Sequence, residues 1–386
     1  MEKKSLIPDF ISYPERNKII SVKKLNNGVE VLWDDSVVDH YHYFWLRENC
    51  PGPETTHPET REQTLKLLDI PEDLRAEDIY LDDKKRLNIS WSHGGHKSCY
   101  HSGWLRAHGK SSEIFSLPSK KLWGRKEMEE RPVFNGHLIL KGDQEELFKW
   151  VLAIHEYGFG VLQNIPLERE MIKTIVNKIG PLRESNFGDI FDVELKSDLN
   201  SNAYTNMGLP LHTDLATREY VPGLQILHCM KNDTGGGETL LSDGFYLAEK
   251  LKESDPFFYK ALTGETTWFV NKDRKESFRF KSPVIKLDKE ELSEVRISPW
   301  LRGKVEGSLE DVDIFYKAFR RYLRLAETQD NFIQFPLLQG ELICFDNRRV
   351  LHGRTKIDSG KGERWLRGCY AEREDLISRL RIFQRG

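Results

Sequence analysis

The chain has 386 residues, of which 38% are hydrophobic and 31% are charged, and its formal net charge is -3. This composition describes a globular protein without the basic excess that binds nucleic acid or other polyanions. Its five cysteines are scattered and odd in number, and no apolar run is long enough for a membrane span or a signal peptide, so we expect a cytoplasmic protein without a disulfide framework or membrane contact.

The first part of the chain predicts a small β-rich domain, residues 1–110. Apolar residues alternate with polar ones over residues 29–33 and again over 87–91, as in half-buried strands. Residues 111–136 are mostly polar and contain two prolines and a basic run, so we expect them to form a linker.

The remaining residues, 137–386, predict a larger domain with few helices and many short strands. Helical spacing of apolar residues marks 144–155, 167–179 and 309–328. Between and after these segments lie short apolar runs punctuated by Gly, Asn and Asp. We therefore expect a mainly β fold with flanking helices, in which a double-stranded β-helix, or jelly roll, follows the small β-rich domain.

A histidine and a carboxylate, His212 and Asp214, are separated by one residue. On an extended segment their side chains point to the same face, and together they form two thirds of the facial triad that binds non-haem Fe(II). His352, which follows the apolar run 342–345 and a turn, is a candidate third ligand. Twelve residues later, Arg364 could grip a carboxylate bidentately. Taken singly, His352 could be a turn cap and Arg364 a surface cation, so the prediction depends on their combination.

Several motifs accompany these residues and carry a family resemblance. The chain resembles the γ-butyrobetaine hydroxylase family, within the taurine dioxygenase-like Fe(II)/2-oxoglutarate dioxygenase superfamily. The resemblance spans nearly the whole chain. The motifs are Leu211-His212-Thr213-Asp214, Gly236-Gly237-Glu238-Thr239, Phe345-Asp346-Asn347, Leu351-His352-Gly353-Arg354 and, near the N-terminus, Phe44-Trp45-Leu46-Arg47-Glu48-Asn49-Cys50.

The resemblance implies a dioxygenase that uses Fe(II), 2-oxoglutarate and O2. His212, Asp214 and His352 would hold the iron, Arg364 would pair with the distal carboxylate of 2-oxoglutarate, and Thr239 would add a hydrogen bond to it. The implied reaction is hydroxylation of a small trimethylammonium acid, most simply γ-butyrobetaine to L-carnitine, with release of succinate and CO2. A homodimer is implied as well.

A trimethylammonium group cannot donate hydrogen bonds, so aromatic faces must stabilise it. The positions that match the family's aromatic cage are Phe187, Phe191, Tyr204 and Tyr370. The two phenylalanines could equally be ordinary core residues. Asn202 is a candidate donor to the substrate's anionic end.

The N-terminal domain departs from the family pattern at its structural zinc site. The family usually has three closely spaced cysteines and a later histidine there, whereas only Cys50 and His96 remain in this chain. Two ligands do not fill a tetrahedral site, so we expect this domain to fold without zinc. The alternative is a replacement set that draws on His57, Cys99 or His101.

A second departure concerns the substrate pocket. Where the family places an asparagine that helps to bind the anionic end, Ser298 and Pro299 stand here. Proline offers no backbone donor, so Arg302 or Asn202 would have to replace it. The alternatives left open are a hydroxylase of trimethyllysine or of a trimethylammonium alkylphosphonate, and a binding protein without catalysis on the same scaffold.

Overall fold

The computed structural model describes residues 6–110, 116–194, 205–358, 360 and 362–384. The chain divides into two compact units, one of residues 1–117 with 384–386 and one of residues 118–383. Within the described residues, no helix has both the length and the apolar character needed to cross a membrane.

The smaller unit is built, in its described part, from two three-stranded antiparallel sheets, each followed by a short helix. Its predicted strands are confirmed: Val29, Val31 and Trp33 alternate into the core, as do Leu87 and its second neighbours. The elements are β1 (Ile19–Lys24), β2 (Gly28–Trp33), β3 (Val38–His42), α1 (Tyr43–Glu48), β4 (Ala76–Leu81), β5 (Leu87–Trp91), β6 (Lys97–Tyr100) and α2 (Ser102–Ala107).

The larger unit contains most of the strands. They begin with β7 (Val133–Asn135), β8 (Phe159–Gln163), β9 (Leu182–Arg183), β10 (Ile190–Glu194), β11 (Leu209–His212), β12 (Leu224–Asn232), β13 (Gly235–Gly236) and β14 (Thr239–Asp243). They continue with β15 (Thr266–Val270), β16 (Arg279–Pro283), β17 (Ile285–Asp288), β18 (Glu291–Val295), β19 (Arg302–Val305), β20 (Ile333–Phe335), β21 (Leu342–Asp346), β22 (Val350–Arg354), β23 (Ile357–Asp358) and β24 (Arg364–Ala371).

Helices of the same unit begin and end with clear capping signals. The Asp143 carboxylate accepts hydrogen bonds from the first turn of one helix, and Gly158 ends that helix at φ +83°, where glycine avoids Cβ strain. Ser308 and Asp311 form a capping box at the start of the longest described helix. The helices are α3 (Gly136–Leu140), α4 (Gln144–Tyr157), α5 (Met171–Val176), α6 (Gly244–Ser254), α7 (Pro256–Gly264), α8 (Leu309–Glu327) and α9 (Arg373–Gln384).

Two sheets form the core of this unit, and they confirm the predicted jelly roll. The larger sheet has the order β10-β24-β12-β21-β8-β7, with β9 added beside β24, and the smaller has the order β11-β22-β14-β20. Side chains from both sheets share one hydrophobic cluster, so the sheets pack face to face. Helices α6, α7 and α8 pack against the outer face of the smaller sheet.

Successive side chains of β22 point alternately towards the helices and towards the interior of the roll. Leu351 packs outward with the helices, whereas Val350 and His352 point inward. Gly353 allows a close approach of the neighbouring strand, because a Cβ there would lie 2.5 Å from the backbone oxygen of Leu209. The sequence therefore directs His352 into the interior of the roll.

The segment predicted to be a linker is partly structured. Residues 118–136 belong to the larger unit, and Trp123 and Met128 are buried in its core. The indole Nε1 of Trp123 donates a 2.6 Å hydrogen bond to the backbone oxygen of Tyr157, at the end of α4. Because the segment is mostly polar, its sequence did not predict that Trp123 and Met128 would be buried.

Candidate active site

The three predicted metal ligands lie together at one end of the smaller sheet. His212 ends β11 and pairs across the sheet with His352 in β22, and the centres of their imidazole rings are 4.2 Å apart. Asp214 follows in a turn that continues through Leu215 at φ +53°, a left-handed conformation typical of functional turns. One ligand atom from each residue lies within 4.8 Å of the others, and no other such group of His, Cys, Asp or Glu occurs among the described residues.

The hydrogen bonds of the site fix which imidazole atoms can bind a metal. Nδ1 of His212 lies 2.9 Å from the backbone oxygen of Pro210 and donates to it, which leaves the lone pair on Nε2. That Nε2 lies 3.2 Å from Oδ1 of Asp214, and Nε2 of His352 lies 3.5 Å from the same oxygen. Two imidazoles and one carboxylate on a single face fit Fe(II), with positions left open for other ligands.

The pKa shifts of Asp214 and His352 favour the binding of a cation by these residues. Burial raises the pKa of Asp214, but the charge of His352 and hydrogen bonds with both histidines outweigh it, so this pKa lies well below its ordinary value. Burial, followed by repulsion from His212, lowers the pKa of His352. At neutral pH the site therefore combines an ionised carboxylate with a neutral imidazole, as metal ligation requires.

Asn347 braces the metal-binding turn. Its Oδ1 accepts a 2.9 Å hydrogen bond from the backbone N–H of Asp214, and its Nδ2 donates to the backbone oxygens of Asp214 and Pro222 at 3.1 and 3.2 Å. Its side chain is fully buried. Sequence reasoning had noted the Phe345-Asp346-Asn347 motif without giving Asn347 a role; the signal was an amide at a strand end just before a metal-ligand strand.

A cavity of about 610 Å³ lies between the two sheets, and the triad forms part of its wall. Arg364, at the start of β24, and Thr239, at the start of β14, line it as well. The Arg364 side chain has no acidic partner among the described residues, and its buried Nε has no hydrogen-bond partner there. Because a buried cation is costly without a counter-charge, this guanidinium fits a carboxylate ligand such as that of 2-oxoglutarate.

Aromatic side chains cluster on another part of the cavity wall. The ring centres of Phe187 and Phe191 are 5.9 Å apart, and those of Phe191 and Tyr370 are 5.2 Å apart. All three line the cavity. The two other predicted substrate residues, Asn202 and Tyr204, lie outside the described part of the chain.

Part of the region expected to bind the substrate's anionic end lies in the cavity wall. Ser298 and Trp300 line the cavity, and the Trp300 ring centre lies 4.7 Å from that of His212. Arg302, however, stacks over the Phe319 ring of α8, with its guanidinium carbon 4.6 Å from the ring centre. Arg302 is not among the described residues that line the cavity, and its role as a replacement for the missing asparagine stays a prediction.

Two of the residues considered for a structural zinc lie side by side in the smaller unit. Sγ of Cys50 lies 3.2 Å from Nε2 of His96, and no third ligand joins this pair among the described residues. The histidines of the alternative set have other partners. Nδ1 of His57 accepts hydrogen bonds from two backbone N–H groups, and Nδ1 of His101 caps α2.

Comparisons with known proteins agree with this site. The model of the Taurine catabolism dioxygenase TauD, TfdA family matches residues 124–370, and the model of the Gamma-butyrobetaine hydroxylase-like N-terminal region matches residues 20–106. Together with the His–Asp–His set, these matches confirm the enzyme class, a dioxygenase, and the expected Fe(II) and 2-oxoglutarate.

Curated relatives match along nearly the full length. Gamma-butyrobetaine dioxygenase of Pseudomonas sp. (strain AK-1) is 38% identical over 98% of this chain and 100% of that protein. Trimethyllysine dioxygenase of Meyerozyma guilliermondii is 28% identical over 96% of this chain and 97% of that protein. Gamma-butyrobetaine dioxygenase of Homo sapiens is 28% identical over 92% of this chain and 94% of that protein. The chain therefore belongs to the TauD, TfdA family of dioxygenases, as the motifs of its sequence predicted.

Proposed function

We propose that the enzyme hydroxylates γ-butyrobetaine to L-carnitine, with conversion of 2-oxoglutarate and O2 to succinate and CO2. The observation that carries this proposal is the aromatic cluster of Phe187, Phe191 and Tyr370 in the same cavity as the triad. Aromatic faces stabilise a quaternary ammonium by about 0.5 to 2 kcal/mol each, depending on desolvation. The 38% identity to a γ-butyrobetaine dioxygenase over the full chain supports the same substrate.

The residues divide the work as follows. His212, Asp214 and His352 hold Fe(II), which when bound supplies the O2 activation that is coupled to oxidation of 2-oxoglutarate. Arg364 pairs with the distal carboxylate of 2-oxoglutarate and Thr239 donates a hydrogen bond to it.

Substrate recognition falls to the remaining predicted residues. Phe187, Phe191, Tyr204 and Tyr370 surround the trimethylammonium group, and Asn202 donates to the anionic end. The apolar side chains of Leu227, Phe345 and Leu366 line the same cavity and exclude water from the reacting carbon, in the proposed arrangement. Such a wall holds the substrate in position without reacting itself, because none of its side chains carries a reactive group.

A second candidate substrate class is favoured by two specific observations. One curated relative that matches 96% of this chain is a trimethyllysine dioxygenase. In addition, Ser298 and Pro299 stand where the family places its asparagine, so the site for the anionic end has changed. A quaternary amine with an amino-acid or a phosphonate end would use the same triad and the same aromatic cluster.

The test is Fe(II)-dependent succinate release from 2-oxoglutarate, measured with a panel of quaternary amines that carry carboxylate, amino-acid and phosphonate ends. We expect γ-butyrobetaine to give the highest coupled kcat/KM. If trimethyllysine or a phosphonate gives the higher coupled kcat/KM, that compound is the substrate, and the proposed reaction type is unchanged. Asp214→Ala is the matched control, and its full activity would show that the triad is wrong.

We also propose a cytoplasmic homodimer in which residues 1–110 form a non-catalytic domain and residues 137–386 the catalytic one. The support is the family resemblance and the two family models, which match residues 20–106 and 124–370 separately. Sedimentation velocity of the full chain tests the assembly: a monomer at micromolar concentration contradicts it.

A further inference from the structure

Cationic side chains in the cavity wall show where a substrate anion can bind. Among the described residues, the arginines and lysines that line the cavity are Arg218, Lys272, Arg354 and Arg364. Arg364 is assigned to 2-oxoglutarate, and the guanidinium of Arg354 donates to the backbone oxygen of Thr205. Arg218 and Lys272 remain for the primary substrate.

Arg218 lies on a rigid turn next to the iron ligands. It follows Asp214 by four residues, and its backbone oxygen accepts a 2.8 Å hydrogen bond from the fully buried guanidinium of Arg296. Arg296 also donates to the backbone oxygens of Ala216 and Glu219, and it is held by a 2.7 Å ion pair with Glu294. The turn that presents Arg218 is therefore fixed from beneath, as a precise binding site requires.

The side chain of Arg218 is oriented yet keeps donors available. Its guanidinium carbon lies 3.1 Å from the centre of the Phe278 ring, and one Nη donates to Oδ1 of Asn186. Its Nε is buried and has no hydrogen-bond partner among the described residues. The charge of Glu276 acts on the guanidinium, but no ion pair within 4.0 Å joins Arg218 to a described carboxylate. An oriented guanidinium in a cavity wall, with Nη donors beyond the one bonded to Asn186, is a site for an anion.

Lys272 is the weaker candidate for the same role. Its side chain is exposed, so water screens its charge and competes for its donors. A guanidinium also offers two parallel N–H donors that match a carboxylate, whereas an ammonium is a point charge. Of these two candidates, only Arg218 is held in a fixed orientation.

We propose that Arg218 binds the anionic end of the substrate and makes the enzyme select zwitterions over quaternary amines with neutral tails. This inference rests on the proposed function. It also accounts for Ser298 and Pro299, because a charged donor from another turn replaces the amide donor that the family has there. In the proposed arrangement the aromatic cluster holds the cation and Arg218 the anion, and the two groups are neighbours, because Asn186, which accepts from Arg218, directly precedes Phe187.

The experiment compares γ-butyrobetaine with its carboxamide analogue, which keeps the trimethylammonium group and lacks the negative charge. Coupled succinate release gives kcat/KM for both compounds with wild type, Arg218→Met, Arg218→Lys and Lys272→Met. We expect Arg218→Met to lose roughly 10- to 100-fold on the acid, the size of a hydrogen-bonded charge contact, and only a few-fold on the amide. Arg218→Lys should fall between, and Lys272→Met should keep the wild-type preference. KM for 2-oxoglutarate should be unchanged in all of them.

Equal losses on acid and amide would assign Arg218 a structural role and overturn the proposal, as would a collapse of the acid preference in Lys272→Met alone. Arg218→Gln, which can retain the contact with Asn186, gives the same comparison if Arg218→Met folds poorly. If the wild-type enzyme turns over another quaternary amine but not γ-butyrobetaine, the proposed substrate is refuted and the proposed role of Arg218 is not. In that case the same variants are compared on that compound and its neutral analogue, where an unchanged ratio refutes the role of Arg218.

Discussion

The hydroxyl of Tyr370 donates a 2.9 Å hydrogen bond to Oδ2 of Asp214, while Oδ1 of the same carboxylate faces His212 and His352. One carboxylate oxygen is thus committed to the tyrosine and the other to the metal-binding side. The ring of Tyr370 also belongs to the aromatic cluster. A single residue therefore connects the proposed substrate pocket with the proposed iron ligands.

Tyr370→Phe separates these two roles, because it removes the hydroxyl and keeps the ring. We expect Fe(II) affinity to fall about 10-fold, since partners that orient a ligand contribute 10- to 100-fold to metal binding. KM for the quaternary amine should change little. An anaerobic Fe(II) titration and steady-state kinetics at saturating iron measure the two quantities.

Tyr370→Leu is the comparison variant, because it removes both the hydroxyl and the aromatic face. It should weaken Fe(II) binding as Tyr370→Phe does and additionally raise KM for the substrate. If Tyr370→Phe binds Fe(II) as tightly as wild type, the hydrogen bond to Asp214 does not orient the iron ligand.

Arg364→Met should raise KM for 2-oxoglutarate by about 100-fold, because a bidentate contact to a charged group is lost in a buried position. KM for the quaternary amine, measured at saturating 2-oxoglutarate, should stay within a few-fold of wild type. Arg364→Lys retains the charge without the planar fork, so it should lie between. A rise in substrate KM alone would place Arg364 in the wrong pocket.

Much of this fold could be predicted because its signals are local. The apolar spacing of residues 144–155 and 309–328 predicted α4 and α8, whose bounds are Gln144–Tyr157 and Leu309–Glu327. The helix predicted over residues 167–179 is shorter, Met171–Val176. The spacing of His212 and Asp214 also singled them out, although Asp214 lies in the turn that follows β11 and not on the extended segment itself.

Other features depend on contacts between distant residues and leave no local pattern. The bond from Tyr370 to Asp214 joins residues 156 positions apart, and Asn347 braces Asp214 from 133 positions away. Arg296 is an ordinary cation in the sequence, yet its burial beneath the turn of residues 216–219 supports the proposed anion site. The contact between Arg302 and Phe319 is of the same kind, because the two residues lie on separate elements.

His228 should make the folded state sensitive to acid. It is fully buried in β12, neither ring nitrogen has a hydrogen-bond partner among the described residues, and burial, followed by the charge of Arg367, lowers its pKa to about 4. The unfolded chain, with a histidine pKa near 6.5, binds this proton first. Stability is therefore complete above about pH 6.5 and is lost as pH falls towards 4, by up to roughly 3 kcal/mol.

His228→Leu should remove this part of the pH dependence and raise stability at neutral pH, because an apolar side chain replaces unpaired polar atoms. Urea titrations of wild type and variant, without iron, at pH 7 and pH 5 give the free energies of unfolding. Parallel pH profiles for the two proteins would show that His228 does not titrate on unfolding.

Arg349 and Asp243 form a fully buried ion pair that connects three parts of the larger unit. Nε and Nη2 of Arg349 lie 3.1 and 2.8 Å from the two carboxylate oxygens of Asp243, and the guanidinium also donates to the backbone oxygens of Lys121 and Glu156. Asp243 in turn caps α6 by accepting from the N–H of Phe245. Removing one partner leaves an uncompensated charge in the interior, which costs about 3 to 5 kcal/mol.

Arg349→Met should therefore destabilise the unit of residues 118–383 by that amount, and the double variant Arg349→Met/Asp243→Asn should recover part of the loss because it leaves no buried charge. Lys149→Met, which breaks the exposed Lys149–Glu145 pair of α4, is the control and should change stability little. Urea unfolding of the full chain, followed by tryptophan fluorescence, measures the change for each variant, and Trp123 is one of the buried tryptophans of this unit. The charge argument is contradicted if the double variant is less stable than Arg349→Met. The loss of stability would then come from the backbone hydrogen bonds of Arg349.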